Sequence, residues 1–136
     1  MTDDEFLAAF ETCKLVRKDW THEAHVRMAW LYLTQLPFDE ALEQVRAGIQ
    51  KLNTVIGSTD GYHDTITVAF VRVIADRLRS GETYPAFRDR NPDLFDRTLS
   101  VLLRHYTNER LYSADARQRF LEPDREPLPR PVLGLE

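Results

Sequence analysis

At 136 residues, with hydrophobic side chains at 43% and charged ones at 29%, the chain has the length and balance of one globular domain, too short for two and too apolar for disorder. Eighteen basic against 22 acidic residues leave a formal charge of -4, and no lysine- or arginine-rich run is present to follow a phosphate backbone. No stretch approaches the ~18 apolar residues of a membrane span, and the acidic start Met1-Thr2-Asp3-Asp4-Glu5 is the opposite of a signal peptide's basic one. Neither nucleic acid nor a membrane is therefore an expected partner, and the cytoplasm is the expected compartment. The single cysteine, Cys13, has no partner for an internal disulfide and reads as a small buried apolar residue.

Thr2 followed by Glu5 is a capping box, and Phe6, Leu7, Phe10 and Cys13 then share one face of a first helix over about 3 to 14. After the charged link Arg17-Lys18-Asp19, Thr21 can cap a second helix that ends near Gln35. Its run Met28-Ala29-Trp30-Leu31-Tyr32-Leu33 is apolar on every side, which predicts a central, covered helix. Beyond Pro37, the stripe Phe38, Ala41, Leu42, Val45, Ile49, Leu52 and Ile56 predicts a third helix with one buried face, stopped by Gly57. Ser58-Thr59-Asp60-Gly61 reads as a turn before a fourth helix over about 62 to 79, rich in Ile, Val and Phe.

Gly81 to Arg90 reads as a connection with one short turn carrying Tyr84 and Phe87. Asn91-Pro92 has the form of an N-cap with proline at the first helical position. Phe95, Leu99, Leu102, Leu103 and Tyr106 then predict a fifth long helix. Ser113 can cap a short sixth helix from Ala114 to Leu121, after which Pro123, Pro127, Pro129 and Pro131 forbid regular structure. The expected fold is an all-α, up-and-down bundle of five main helices plus a short C-terminal one. Residues 1–122 form the domain, and 123–136 an extended Pro-rich tail that packs along the bundle, through Leu128, Val132 and Leu133, or onto a second subunit of a homo-oligomer.

In that topology His22 and His25 begin the second helix, His63 begins the fourth and His105 closes the fifth, so all four histidines gather at one end. His22 and His25, three residues apart, are separated by about 60° and ~4.5 Å of rise and can address one centre; His63 and Thr67 share a face similarly. Helix N-termini disfavour imidazolium, and neutral imidazole binds metals or accepts protons. One reading is a divalent metal such as zinc held by His22, His25 and His63 with an open fourth position. His22-Glu23-Ala24-His25 is, however, one residue short of the zinc-protease H-E-x-x-H. A second is a metal-free pocket for a small polar or anionic ligand, formed by Trp20, Trp30, His22, His25, Tyr62, His63, Thr67 and His105. Either could support hydrolytic or acid–base chemistry. The alternative is a non-catalytic interaction module whose histidines only hold helices in register. No Gly-x-Ser-x-Gly elbow exists, and the five glycines are too scattered for a phosphate loop.

The segments W-T-H-E-A-H and Y-H-D-T-I-T, with Leu111-Tyr112-Ser113, Ala116-Arg117, Pro123-Asp124 and Pro127-Leu128-Pro129, resemble an uncharacterised family of small bacterial all-helical proteins. The resemblance spans most of the chain. It implies that the histidine segments belong together, and it implies no activity, cofactor or partner.

Overall fold

The computed structural model describes residues 1–57 and 61–131; the expected turn at 58–60 and the tail residues Val132 and Leu133 lie outside them. All regular structure among these residues is helical: α1 (Asp3–Glu11), α2 (His22–Gln35), α3 (Phe38–Ile56), α4 (Asp64–Asp76), α5 (Tyr84–Arg90), α6 (Asn108–Leu111) and α7 (Ala114–Gln118). Short 3-10 turns occur at Arg17–Asp19, Pro92–Phe95 and Leu102–Arg104. None of these helices is long and apolar enough to cross a membrane.

The first two helices start where capping chemistry places them. Thr2 and Glu5 form both arms of the capping box of α1, and the Thr21 hydroxyl accepts from the Ala24 N–H at the start of α2. Gly57 ends α3 at φ +80, a left-handed conformation that glycine adopts without a steric penalty. The first helix is shorter than its periodicity suggests. Cys13 takes φ +57, and bonds from Cys13 N–H to the Phe10 carbonyl and from Lys14 N–H to the Ala9 carbonyl close a Schellman cap. Cys13 is half-buried rather than fully buried.

As its apolar surroundings require, α2 is the axis of the core. Residues Met28 through Leu33 are all buried, and α1, α3 and α4 pack around it. Where α1 crosses α3, Phe10 lies against Gly48, at which even a methyl group would overlap the ring. That close approach is the packing reason for a glycine inside a nineteen-residue helix.

The expectation of a fifth long helix is overturned. Tyr84–Arg90, taken as a connection, is the helix, capped by the Thr83 hydroxyl on the Ala86 N–H, and the stretch from Asn91 to Tyr106 holds only 3-10 turns. Asn91 ends α5 and stands at the N-cap position of only the 3-10 turn Pro92–Phe95: its amide donates to the Phe87 carbonyl and accepts from Arg77. Five residues on, the Asp96 carboxylate takes the Thr98 N–H, the Thr98 hydroxyl and the Ser100 hydroxyl. Such local side-chain bonds compete with a helical ladder, and Leu99 beside them turns to φ +58. The same bonds hold the Asp96 carboxyl down at about 2. Of the residues in the expected helical period, Leu102 and Tyr106 are completely buried and Phe95, Leu99 and Leu103 half-buried, so the period reported burial without helix.

Candidate functional site

At the start of α2, the Thr21 cap fixes the first turn and with it the two histidines. Nδ1 of His25 lies 2.7 Å from the Thr21 carbonyl oxygen. A carbonyl only accepts, so Nδ1 carries the proton and Nε2 keeps its lone pair. The ring stacks on Trp20 with centroids 3.7 Å apart, and Trp20 is itself held by its indole N–H on the Asn53 amide oxygen. Burial pushes the imidazole down to about 4, only partly offset by the bond to Thr21, so His25 is neutral at pH 7. Nε2 has no hydrogen-bond partner among the described residues.

His22 is fixed through its other nitrogen. Its Nε2–H donates to the Leu94 carbonyl at 2.8 Å, and the ring meets Phe70 edge-on at 5.5 Å. His63 differs from both, because it is the N-cap of α4: Nδ1 accepts the Ile66 N–H, and Nε2–H donates to the Leu111 carbonyl at 2.8 Å. Burial lowers its pKa as well, which keeps it neutral. With one nitrogen accepting and the other donating, His63 fastens α4 to the end of α6 and has no lone pair to offer a ligand.

These side chains meet around one open-sided cavity of about 330 Å³ lined by α2, α3, α4, the residues just before α4, and Leu99. His22, His25, Tyr62, His63 and Thr67 all line it, so five of the residues expected at the site converge. Trp20 backs His25 from behind. Trp30 is elsewhere, packed against Tyr84 and Phe87. His105 is also elsewhere: with no fifth helix to carry it to this end, it donates from Nδ1 to the Glu126 carbonyl in the C-terminal segment.

Most of the wall is aliphatic or aromatic, with Val26, Met28, Ile49, Ile66 and Phe70 prominent, where a polar pocket was expected. The helix ends are partly served, since Thr21 takes the Ala24 N–H of α2 and His63 the Ile66 N–H of α4. Among the described residues no three His, Cys, Asp or Glu side chains are grouped as a metal ion needs. His22, His25 and His63 share the cavity, but in this arrangement only the first two have a nitrogen to give.

Two further features were missed. Asp64, buried at the first position of α4, receives Arg46 through two bonds of 3.0 Å and the Tyr62 hydroxyl on the same carboxylate. Burial, with the proximity of this carboxylate second, drives the Tyr62 phenol well above its ordinary range, so it stays protonated as a donor. The ion pair ties α3 to α4 at the cavity rim. A signal for it existed: Leu42, Val45, Arg46 and Ile49 follow the i, i+3, i+4, i+7 pattern, which puts Arg46 at a core-facing position. The other is Leu99, whose left-handed backbone at the wall had no local sequence signal. Such a conformation in a bulky residue costs about 1–2 kcal/mol and persists only where surrounding structure imposes it.

The chain matches no family model, no curated protein and no solved structure.

Proposed function

We infer that this protein binds a small, mainly apolar molecule carrying one hydroxyl or N–H donor in the cavity between α2, α3 and α4. The observation that supports this reading best is the Nε2 of a neutral His25, without a partner among the described residues, on the wall of a mainly apolar space. Ligand sites commonly combine apolar walls with a few fixed polar groups, and a volume of about 330 Å³ is at the small end of their range. His25 meets the positional demand well, since Thr21 sets its tautomer and Trp20 sets its ring plane. The same lone pair makes His25 the group to act as a base toward a bound donor, with His22 beside it as the second imidazole.

The test uses 1-naphthol and naphthalene, which share an apolar body and differ by one donor, with isothermal titration as the readout. Both should saturate a single site, 1-naphthol the more tightly by up to about tenfold, the value of one hydrogen bond. His25→Phe keeps an aromatic ring against Trp20 and removes Nε2. It should abolish the preference while leaving naphthalene bound. Equal affinity of the two compounds for the wild-type protein, or a preference surviving in His25→Phe, would overturn the role given to His25.

A further inference from the structure

A second cavity, of about 530 Å³, lies apart from the histidine cavity, between α4 and the segment that follows α7. Three arginines line it: Arg72 from α4, and Arg125 and Arg130 from the C-terminal segment. Glu122 is the one acid of the wall, and it is within ion-pairing distance of none of them among the described residues. Among the described lining residues, three guanidinium groups stand against one carboxylate, an excess of two positive charges. In a chain of net charge -4, this concentration is local and not a consequence of overall composition.

The state of Arg72 is the sharper observation. Its guanidinium lies over the Phe120 ring, 4.9 Å from the centroid, and its Nε is buried with no hydrogen-bond partner among the described residues. A buried N–H of a charged group left unpaired is costly, so natural structures rarely keep one without a use. Stacking occupies a face of the guanidinium and leaves its N–H edge for an in-plane acceptor, the geometry that suits a carboxylate or phosphate oxygen. Arg125 has a backbone acceptor, the Leu103 carbonyl, which fixes the arm while its charge is not neutralised. The walls between the arginines are Pro123, Pro127 and the buried Leu128, rigid or packed groups that keep the space open.

We propose that this cavity is a binding site for a small oxyanion of two or more negative charges, a phosphate-type or polycarboxylate group, held by Arg72, Arg125 and Arg130. The excess of positive charge among the lining residues matches a dianion. The site shares no residue with the histidine cavity and stands or falls independently of it.

Isothermal titration of the full chain with sodium pyrophosphate and with citrate, at ionic strength matched by sodium chloride, tests the proposal. Saturable uptake of one pyrophosphate or one citrate per chain is expected, and the tighter of the two tells phosphate chemistry from polycarboxylate chemistry. Arg130→Gln, at an exposed position, and Arg72→Met should each weaken binding on the order of tenfold. If Arg72→Met fails to fold, Arg130→Gln decides. Glu122→Gln should tighten binding, because it removes the opposing charge. Uptake of neither anion beyond the chloride control, affinity unchanged in Arg130→Gln, or weaker binding in Glu122→Gln would each overturn the assignment.

Discussion

In residues 1–76, four α-helices of nine to nineteen residues bury their apolar faces against one another. In residues 77–131 no α-helix among the described residues exceeds seven. There the chain is fastened by single polar bonds between distant positions. The Tyr106 hydroxyl donates to the Leu121 carbonyl at 2.7 Å, Asp124 takes both the N–H and the hydroxyl of Thr107, and Arg110 donates to the Glu122 carbonyl. Arg77 forks onto Asp93, and Thr65 of α4 ties down the C-terminal segment at Arg119 and Leu121. The first region is stabilised by a repeating pattern that tolerates changes one at a time. The second depends on individual donors and acceptors, each of which is costly to orphan. The histidine cavity belongs to the first region and the arginine cavity lies where the two meet.

Acid should separate the regions most strongly. The folded pKa of His25, about 4, is below its ordinary 6.5, so between those values the unfolded chain binds more protons than the native one. Stability from this group is therefore complete above pH 6.5, declines as the pH falls toward 4, and levels off below. Over the whole window the loss is roughly 3 kcal/mol, and His63, lowered in the same direction, adds to it. Urea unfolding at pH 7 and pH 4.5 should show the difference, and His25→Phe should remove most of it. The carboxylates held low in the second region, Asp93, Asp96 and Asp124, act in the same sense but at lower pH. Wild-type stability that is flat from pH 6.5 to 4.5 would show that His25 is not buried as described.

His63→Ala should cost about 2–3 kcal/mol at pH 7, because it strips the cap from α4 and leaves the Leu111 carbonyl without its donor. Such a loss, measured by denaturant titration, would mark His63 as structural; a change below experimental error would mean that its two bonds are replaceable. A step smaller is Thr65→Val, nearly isosteric at a fully buried position. It leaves the Leu121 N–H without an acceptor and should cost about 1–2 kcal/mol. Hydrogen exchange gives the sharper readout: protection at Leu121 should fall while the amides of α2 keep theirs. Uniform loss of protection would mean that the regions open together, against the contrast drawn here.

That contrast also explains what could be read from the sequence. The starts of α1, α2 and α3 and the left-handed stop at Gly57 were legible, because caps and apolar periodicity are local properties of the chain. For α4 the apolar run was legible, but its start was displaced by the cap residue itself: His63 was taken as the first turn and is the N-cap. Around the cavity, His22, His25, Tyr62, His63 and Thr67 were legible because they flank helix starts. The aliphatic character of the space was not, since lining residues such as Val26 and Ile66 look like any other core positions. From Asn91 to Tyr106, a helical period arose from residues buried one by one through turns. The cause, the bonds that Asp96 makes to Thr98 and Ser100, depends on backbone geometry that a count of apolar spacings does not contain.

The smallest effect expected is at His105, and it tests the division directly. Had 91–106 been a helix running toward the cavity, His105 would be a fourth imidazole there, and its removal would weaken ligand binding. Instead its ring makes one 2.9 Å bond to the Glu126 carbonyl at a half-exposed position. Two backbone bonds, Arg125 N–H to the His105 carbonyl and Glu126 N–H to the Arg104 carbonyl, hold the same strands of chain together without it. His105→Ala should therefore cost under about 1 kcal/mol, the value of a partly exposed hydrogen bond with a neutral partner. Affinity for 1-naphthol should stay within about twofold of wild type, the variation expected between sites that share no contacts. A tenfold loss of binding in His105→Ala would place His105 at the cavity after all and return the segment from Asn91 to Tyr106 to the first region.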